Sequence, residues 1–344
     1  MEDRVYNADF VRSTEREYTH SARYIRIKRG SAIKELDHFD LIIAHTAFEG
    51  VGSLRSAKLA FVQYGLAKED YNYGLWRGLA DINFVFGNYS QQRIVSVANS
   101  IVVGHSVLSS WQKQQAELSW SANEEPIVYY APTWGEHSSL ESSLDGLEEL
   151  SKRFTLVVAP HHNTIVFNSE LIRQIPEKIK IVVSQKDKVD WLLKSQLVVS
   201  DISGIIFDAF FLGKKVSVLR GASFTQESVK VGRDSIEYRE INNFAVTLND
   251  ISSVRKDEFF PIYDPYAGYY QGLISDTLDA DERLANEIIN YNFHDQHQIL
   301  REKIRAQWAI TDSEKKRIRN ENQTDPSPMG QSIRRLLHRL KVSL

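Results

Sequence analysis

The sequence predicts an α/β fold of two doubly wound, Rossmann-like domains facing each other across a cleft, followed by a basic helical tail. Three observations predict it. Short runs of Val, Ile and Leu alternate with amphipathic stretches from about residue 22 to residue 250. Most of these runs are continuous rather than alternating, as strands buried on both faces of a parallel sheet require. A polar stretch, WQKQQAELSWSANEEP at 111–126, divides the runs into two sets and reads as a connector between domains.

In chain order, strands are expected at 24–27 (YIRI), 40–46, 59–65, 82–87 and 100–105, within a first domain over residues 1–115. A second domain over 125–255 carries strands at 126–133, 154–160, 179–184, 196–201, 215–219 and 244–248. Helices at 140–152, 187–195 and 205–213 fall between strands, the alternation that defines an α/β fold. Residues 256–320 hold C-terminal helices, expected over 280–319. The stretch ENQTDPSPMGQ (321–331) has the Pro, Ser, Gly and Asn content of a linker. It leads to SIRRLLHRLKVSL at 332–344, where Ile333, Leu336, Leu337 and Leu340 share one helical face. Arg334, Arg335, His338, Arg339 and Lys341 cover the rest. A membrane-surface helix and a helix docked on the body both fit that pattern.

Composition narrows the function classes. The chain has 344 residues, 42% hydrophobic and 25% charged, a globular balance. It has no cysteine, which excludes a disulfide scaffold, a Cys-ligated metal site and a Cys nucleophile. No apolar run approaches the ~18–20 residues of a membrane span, and the first residues, MEDRVYNADF, are too polar for a secretory signal. The expected location is cytoplasmic. The net charge of −3 divides into +6 on residues 301–344 and −9 on the preceding 300. A basic tail on an acidic body suits an anionic surface, which points to peripheral attachment at the inner face of the plasma membrane.

Four segments carry candidate chemistry. In VVSDISGIIFDAFFLGKKVSVL (198–219), a strand ends at Ser200-Asp201 and a helix begins after Ser203-Gly204. A strand-to-helix turn of small residues offers free backbone N–H groups to an anion, and the helix dipole adds positive charge there. An ordinary cap by Asp201 or Ser203 would use the same residues. Asp208 lies among Ile205, Ile206, Phe207, Phe210 and Phe211, where a carboxylate needs a partner. In YYAPTWGEHSSL (129–140), Thr133 or the start of a helix capped by Ser138 or Ser139 would face the same cleft and could hold phosphate. In VVAPHHNT (157–164), His161 and His162 follow a buried strand beside Asn163. Imidazole N–H groups bind diphosphate, and on an extended chain the two rings would point apart, leaving one to face the ligand. In FVQYGLAKEDYNYGLWRG (61–78), a strand runs into a loop with Gly65, Lys68, Glu69 and Asp70, groups suited to a polar acceptor. The P-loop, GxSxG and GxGxxG patterns are all missing from the sequence.

Taken in order, these segments resemble the CDP-glycerol glycerophosphotransferase family, which includes wall teichoic acid primases and polymerases and capsule-polymer enzymes. VSDISGIIFDAFFLGKKV is similar to its D-[YF]-S-S-hydrophobic-hydrophobic-x-D segment, and YYAPTWGEHSSL to its Y-x-P-T-[YW]-[GR]-[ED] segment. VVAPHHNT, VFGNYSQQRI and VVGHSVLSSW resemble its strand-to-histidine segment and two further N-domain segments. The similarity spans roughly residues 40–220.

The resemblance implies a GT-B fold and transfer of an alditol phosphate from a CDP-alditol to an acceptor hydroxyl, with release of CMP. It implies a polyol or glycan acceptor, which a lipid can carry, no cofactor and no nucleic-acid partner. No ligand set in the sequence demands a metal. Ser203, Gly204 and His161 or His162 would hold the donor pyrophosphate, with Thr133 and Asn163 beside them, while Asp201 and Asp208 shape the loop. Gly65 and Lys68 fall on the acceptor side. The family carries a His-Gly pair, its proposed base, where this chain has Tyr64-Gly65. A Tyr of ordinary pKa ~10 is a poor base, so Glu69, Asp70, His45 and His105 are the substitutes to weigh. A nucleotide-sugar glycosyltransferase, a UDP-sugar 2-epimerase and a non-catalytic homologue would share the same frame.

Overall fold

The structure, a computed structural model, describes residues 36–118, 125–220, 232, 235–255, 272–275, 277–290 and 296–324. The strand expected at 24–27 and the tail helix at 332–344 lie outside them, as do the middle of the connector and the end of the linker.

Ten strands are present among the described residues, in two wholly parallel sheets. The first sheet contains β1 (Leu41–Ala44), β2 (Lys58–Val62), β3 (Ile82–Val85) and β4 (Ser100–Val102), in that spatial order. The second contains β5 (Ile127–Ala131), β6 (Thr155–Val158), β7 (Lys180–Ile181), β8 (Leu197–Ser200), β9 (Lys215–Leu219) and β10 (Val246–Leu248). Its order is β10-β9-β8-β5-β6-β7. Strands β3 and β8 are buried at all four positions, which is why their sequences read as unbroken apolar runs. The chain leaves β5 toward β6 on one side and returns to β8 on the other. The crevice at the carboxyl ends of β5 and β8 is therefore the topological switch point, where doubly wound sheets bind ligands.

Helices of the first domain are α1 (Glu69–Asn72), α2 (Asn88–Ile94) and α3 (Ser106–Ala116). The first residues of the expected connector thus belong to a helix, because Leu108 is fully buried and pins it. The second domain holds α4 (Leu140–Ser151), α5 (His162–Phe167), α6 (Ser169–Arg173), α7 (Gln185–Lys194), α8 (Ile205–Phe211), α9 (Ile236–Arg239) and α10 (Ile241–Phe244). The C-terminal helices are α11 (Ala280–Asn290) and α12 (Gln298–Thr324), so α12 runs four residues into the expected linker.

The last two helices return to the first domain. Leu284 and Ile288 of α11 pack on Ala60, Ile82 and Phe84. Ile304 and Trp308 of α12 pack on Phe61, Trp76 and Leu79. Buried Asp81 fixes the register by pairing with Arg301 at 3.4 Å and Arg305 at 3.0 Å. Gly52 allows the close approach: a Cβ there would sit 2.6 Å from the Arg305 carbonyl oxygen. No helix among the described residues is long and apolar enough to cross a membrane.

The two domains share a core. Leu66, Ala67, Phe86 and Leu108 of the first join Ile202, Ile206, Phe207 and Phe210 of the second in one buried cluster. Gln112 and Gln115 of α3 add hydrogen bonds to the Phe211 and Leu212 carbonyls, each at 3.2 Å.

Candidate functional site

The switch point is built around Asp201. Its carboxylate, 1% exposed, accepts from the backbone N–H of Thr133 (3.0 Å), Ser139 (2.9 Å) and Ile202 (2.7 Å), and from the Ser139 hydroxyl (2.8 Å). The loops after β5 and β8 are thereby tied into one wall. Burial pushes the Asp201 pKa up, and the donors from Ser139, Thr133 and Ile202 work against that. Ser139 is spent on this tie, so α4 begins without a side-chain cap from it, and the Ser138 hydroxyl accepts from Leu140 N–H at 3.3 Å instead.

Ser203 and Gly204 are half-buried at the start of α8. The Ile206 N–H donates to the Ser203 carbonyl at 3.3 Å and the Phe207 N–H to the Gly204 carbonyl at 3.1 Å, and the amides of the turn itself precede that ladder. A Cβ added at Gly204 would meet nothing closer than the Ala67 Cβ, 3.9 Å away across the domain boundary. The turn therefore faces the first domain with its backbone open to approach.

His161 is the cap of α5. Its Nδ1 accepts from Asn163 N–H at 3.1 Å, which places the neutral ring's proton on Nε2 and leaves that nitrogen a donor. Its pKa is driven down to about 3 by burial first, then by His162, Lys68 and Lys188. His161 is therefore a neutral N–H donor at physiological pH. The two imidazoles do not point apart as expected for an extended chain. Their centroids lie 4.0 Å apart, because His161 caps a helix that His162 begins. Trp134, 40% exposed, stacks on the outer side of His161 at 6.0 Å. Lys188 of α7 donates to the Pro160 carbonyl at 2.6 Å, and burial lowers its pKa to about 8. Lysines from both domains, Lys68 and Lys188, thus act on one imidazole.

On the facing wall, Tyr64 is 43% exposed and its pKa is pushed up to about 12 by burial and by Tyr71. At neutral pH it is a phenol and cannot accept a proton as a base. Gly65 beside it has open space where a Cβ would be. Glu69 is 3% exposed and turned into the domain boundary. It accepts from the Tyr89 hydroxyl, from Arg93 at 3.2 Å and from Ile236 N–H at 2.8 Å. Asp70 is exposed, and a Cβ on Gly232 would lie 2.7 Å from its Oδ2.

His45 sits at the end of β1. Its Nδ1 lies 3.1 Å from the Val62 carbonyl, which can only accept, so Nδ1 carries the proton and Nε2 keeps its lone pair. Its ring meets Tyr64 edge-on at 6.3 Å. His105 is used differently. It is buried, stacked 3.9 Å from Phe86, and accepts Leu108 N–H at Nδ1. Its Nε2 therefore donates to Asp208 Oδ1 at 3.3 Å, a latch between the domains.

Sequence reasoning did not single out Trp134, Lys188 or Glu237. Trp134 stood inside a quoted segment, and its neighbour Thr133 was chosen instead. Nothing in the sequence marks Lys188 or Glu237, since both owe their character to burial.

Two parallel-sheet domains apposed through their strand ends, with the final helix crossing back to the first, define a GT-B-like fold, the frame that the motif resemblance calls for. Comparison with solved structures agrees at the level of fold. Neither a family model nor a curated relative matches the sequence. Among solved structures, the S. aureus MnaA-UDP co-structure is similar with a TM-score of 0.52 and 16% identity, over 83% of this chain and 86% of that one. The wall teichoic acid polymerase TagF is similar with a TM-score of 0.44 and 13% identity, over 89% and 85%. The UDP-GlcNAc 2-epimerase from Neisseria meningitidis bound to UDP-GlcNAc has a TM-score of 0.47 and 16% identity, over 82% and 89%.

Proposed function

We propose that the protein is a transferase that moves a glycerol-phosphate or related alditol-phosphate unit from a CDP-alditol to an acceptor hydroxyl, releasing CMP. The acceptor is a cell-surface glycopolymer or its lipid-linked precursor. Convergence of diphosphate-binding groups at one cleft carries this reading. The neutral His161 Nε2–H feels the charges of Lys68 and Lys188, one from each domain, and the Ser203–Gly204 turn lies against Ala67 of the first domain.

The acceptor oxygen attacks the β-phosphorus, forming a new P–O bond. The bond from that phosphorus to the bridging oxygen breaks, and CMP departs with the oxygen's charge. The backbone of the Ser203–Gly204 turn and His161 Nε2–H stabilise that charge without reorganising, the arrangement in which preorganised donors are most effective. Tyr64 is a phenol and Glu69 is engaged by three donors. The Asp70 carboxylate lies against Gly232, and His45 lies beside Tyr64, so the hydroxyl proton is assigned to His45 Nε2, whose lone pair is set by the Val62 carbonyl on the other nitrogen.

A second reading, a UDP-sugar enzyme, is favoured by the fold-level likeness to the MnaA-UDP structure. A thermal-shift series with CMP, CDP, UMP, UDP and GDP separates the two. A ligand at 100 times its Kd adds about 2.7 kcal/mol to the folded state. Stabilisation by cytidine nucleotides supports the CDP-alditol reading, and stabilisation by uridine nucleotides alone overturns it.

A further inference from the structure

Glu237 is fully buried on α9, at the boundary between the domains. One oxygen, Oε1, accepts the backbone N–H of Lys68 from the first domain. The other, Oε2, has no hydrogen-bond partner among the described residues. The contact is reciprocated one residue away on each side: Glu69 of the first domain accepts the backbone N–H of Ile236 at 2.8 Å. Lys68 is the cap of α1 and Ile236 is the first residue of α9. Two short helices therefore meet start to start, and each lends a glutamate to an amide at the start of the other.

The backbone at this contact is strained. Lys68 has φ 63 and ψ 57, a left-handed conformation that is strained for a residue with a Cβ. Such a conformation persists where surrounding contacts over-determine it. Here the contact is the Glu237 carboxylate on the Lys68 amide. The side chain of Lys68, in turn, acts on His161.

We propose that Glu237 is a positioning residue: with Glu69 it forms a reciprocal clasp between the domains that holds Lys68 in place beside His161, and the clasp closes more tightly when Glu237 is protonated. Its consequence for transfer rests on the reading of the cleft as a donor site; the clasp itself does not.

The electrostatics agree with the geometry. Burial raises the Glu237 pKa from 4.5 to about 7, with the Glu69 charge adding to the rise and Lys68 opposing it. Among the described residues, the charged and titratable groups facing the clasp are Lys68 at the cap of α1 and Glu69 in its first turn, Tyr73 just after α1, and Tyr89 and Arg93 on α2, which both bond Glu69. Arg239 on α9 donates to the Tyr89 hydroxyl at 2.8 Å. Glu69 is held by Tyr89 and Arg93 of its own domain as well as by the Ile236 amide, so when Glu237 is charged it is Glu237 that gives way, and the contact opens at both the Lys68 and the Ile236 amides. A carboxyl with a raised pKa in the closed state favours closure fully below about 4.5, and that advantage is lost as pH rises through about 7.

Hydrogen exchange at the Lys68 and Ile236 amides, on the full chain without nucleotide, reads the clasp directly, because these are the N–H groups it covers. Rates are corrected for intrinsic exchange and referenced to the β8 amides. Between about pH 5 and about pH 8, protection at the two amides should fall on the order of 10²-fold relative to β8. Glu237→Gln keeps an acceptor for Lys68 N–H and cannot ionise, so its protection should stay level across that range. Glu237→Asp keeps the charge and shortens the reach, so protection at Lys68 should be low at every pH while β8 stays protected. Wild-type protection that ignores pH, or a Glu237→Gln profile that follows the wild type, would overturn the proposal. Because no nucleotide is present, either result leaves the donor reading to its own test.

Discussion

Replacing Asp201 with alanine should weaken the second domain more than any other single change in the loops at the switch point. The carboxylate is 1% exposed and accepts from the amides of Thr133, Ser139 and Ile202 and from the Ser139 hydroxyl. Alanine leaves those donors buried without partners, and each such donor costs about 1–3 kcal/mol. Against this, the variant no longer buries a carboxylate, whose raised pKa shows that its desolvation is incompletely offset. Losing one member of a buried charged network typically costs about 3–5 kcal/mol, and the offset places Asp201→Ala near the lower figure. For a cooperative unit of roughly 150–250 residues, about 3 kcal/mol corresponds to a fall of about 6–12 °C in Tm. Urea denaturation followed by circular dichroism measures the loss, with the midpoint shifted and the slope unchanged. Ser139→Ala, which removes the hydroxyl donor and keeps the amide, is the control and should cost about 1 kcal/mol. If Asp201→Ala is no more destabilising than Ser139→Ala, the carboxylate does not tie the two loops and the switch-point wall is held by other contacts.

Three further outcomes follow from the site. His45→Gln should lower turnover by about 10²–10⁴-fold while calorimetric nucleotide affinity stays unchanged, since it removes a proton acceptor and no phosphate contact. Affinity for CDP should fall as pH rises through about 8, where Lys188 with its lowered pKa loses its charge; in Lys188→Met that alkaline limb should vanish. The tail at 332–344 should carry the chain to anionic liposomes, its four Arg and Lys residues contributing about 1 kcal/mol each at low salt. Flotation of a chain truncated after Met329 should drop to the level seen with neutral lipid, and equal flotation of both forms would show that the tail does not attach the protein.

The strands were readable because β3, β5, β6, β8 and β9 are buried and their apolar runs are continuous. The first part of the expected connector was misread because Gln112 to Gln115 are all polar, whereas Gln112 and Gln115 are partly buried and held by carbonyls of the other domain. Ser203, Gly204, Asp201 and His161 were legible as strand-end residues. Their division of labour was not. Asp201 spends its carboxylate on Thr133 and Ser139, partners more than 60 residues away in the chain. Glu69 looked like a free acid in a polar loop, yet Tyr89, Arg93 and Ile236 close around it. The adjacent histidines read as diverging side chains until the helix start at His162 brought their rings together. Glu237 and Lys188 are chemically ordinary as residue types, and only burial against the facing elements changes their titration.

Product identity is the most direct measurement of the transfer reaction. The full chain is incubated with CDP-glycerol and, separately, with UDP-GlcNAc, each with a panel of polyol and glycan acceptors, and released nucleotide is separated by ion-exchange chromatography. Acceptor-dependent release of CMP, lost in Ser203→Pro because proline removes one amide from the turn, is the predicted result. Release of UDP with no CMP under any acceptor would contradict the assignment of a CDP-alditol donor.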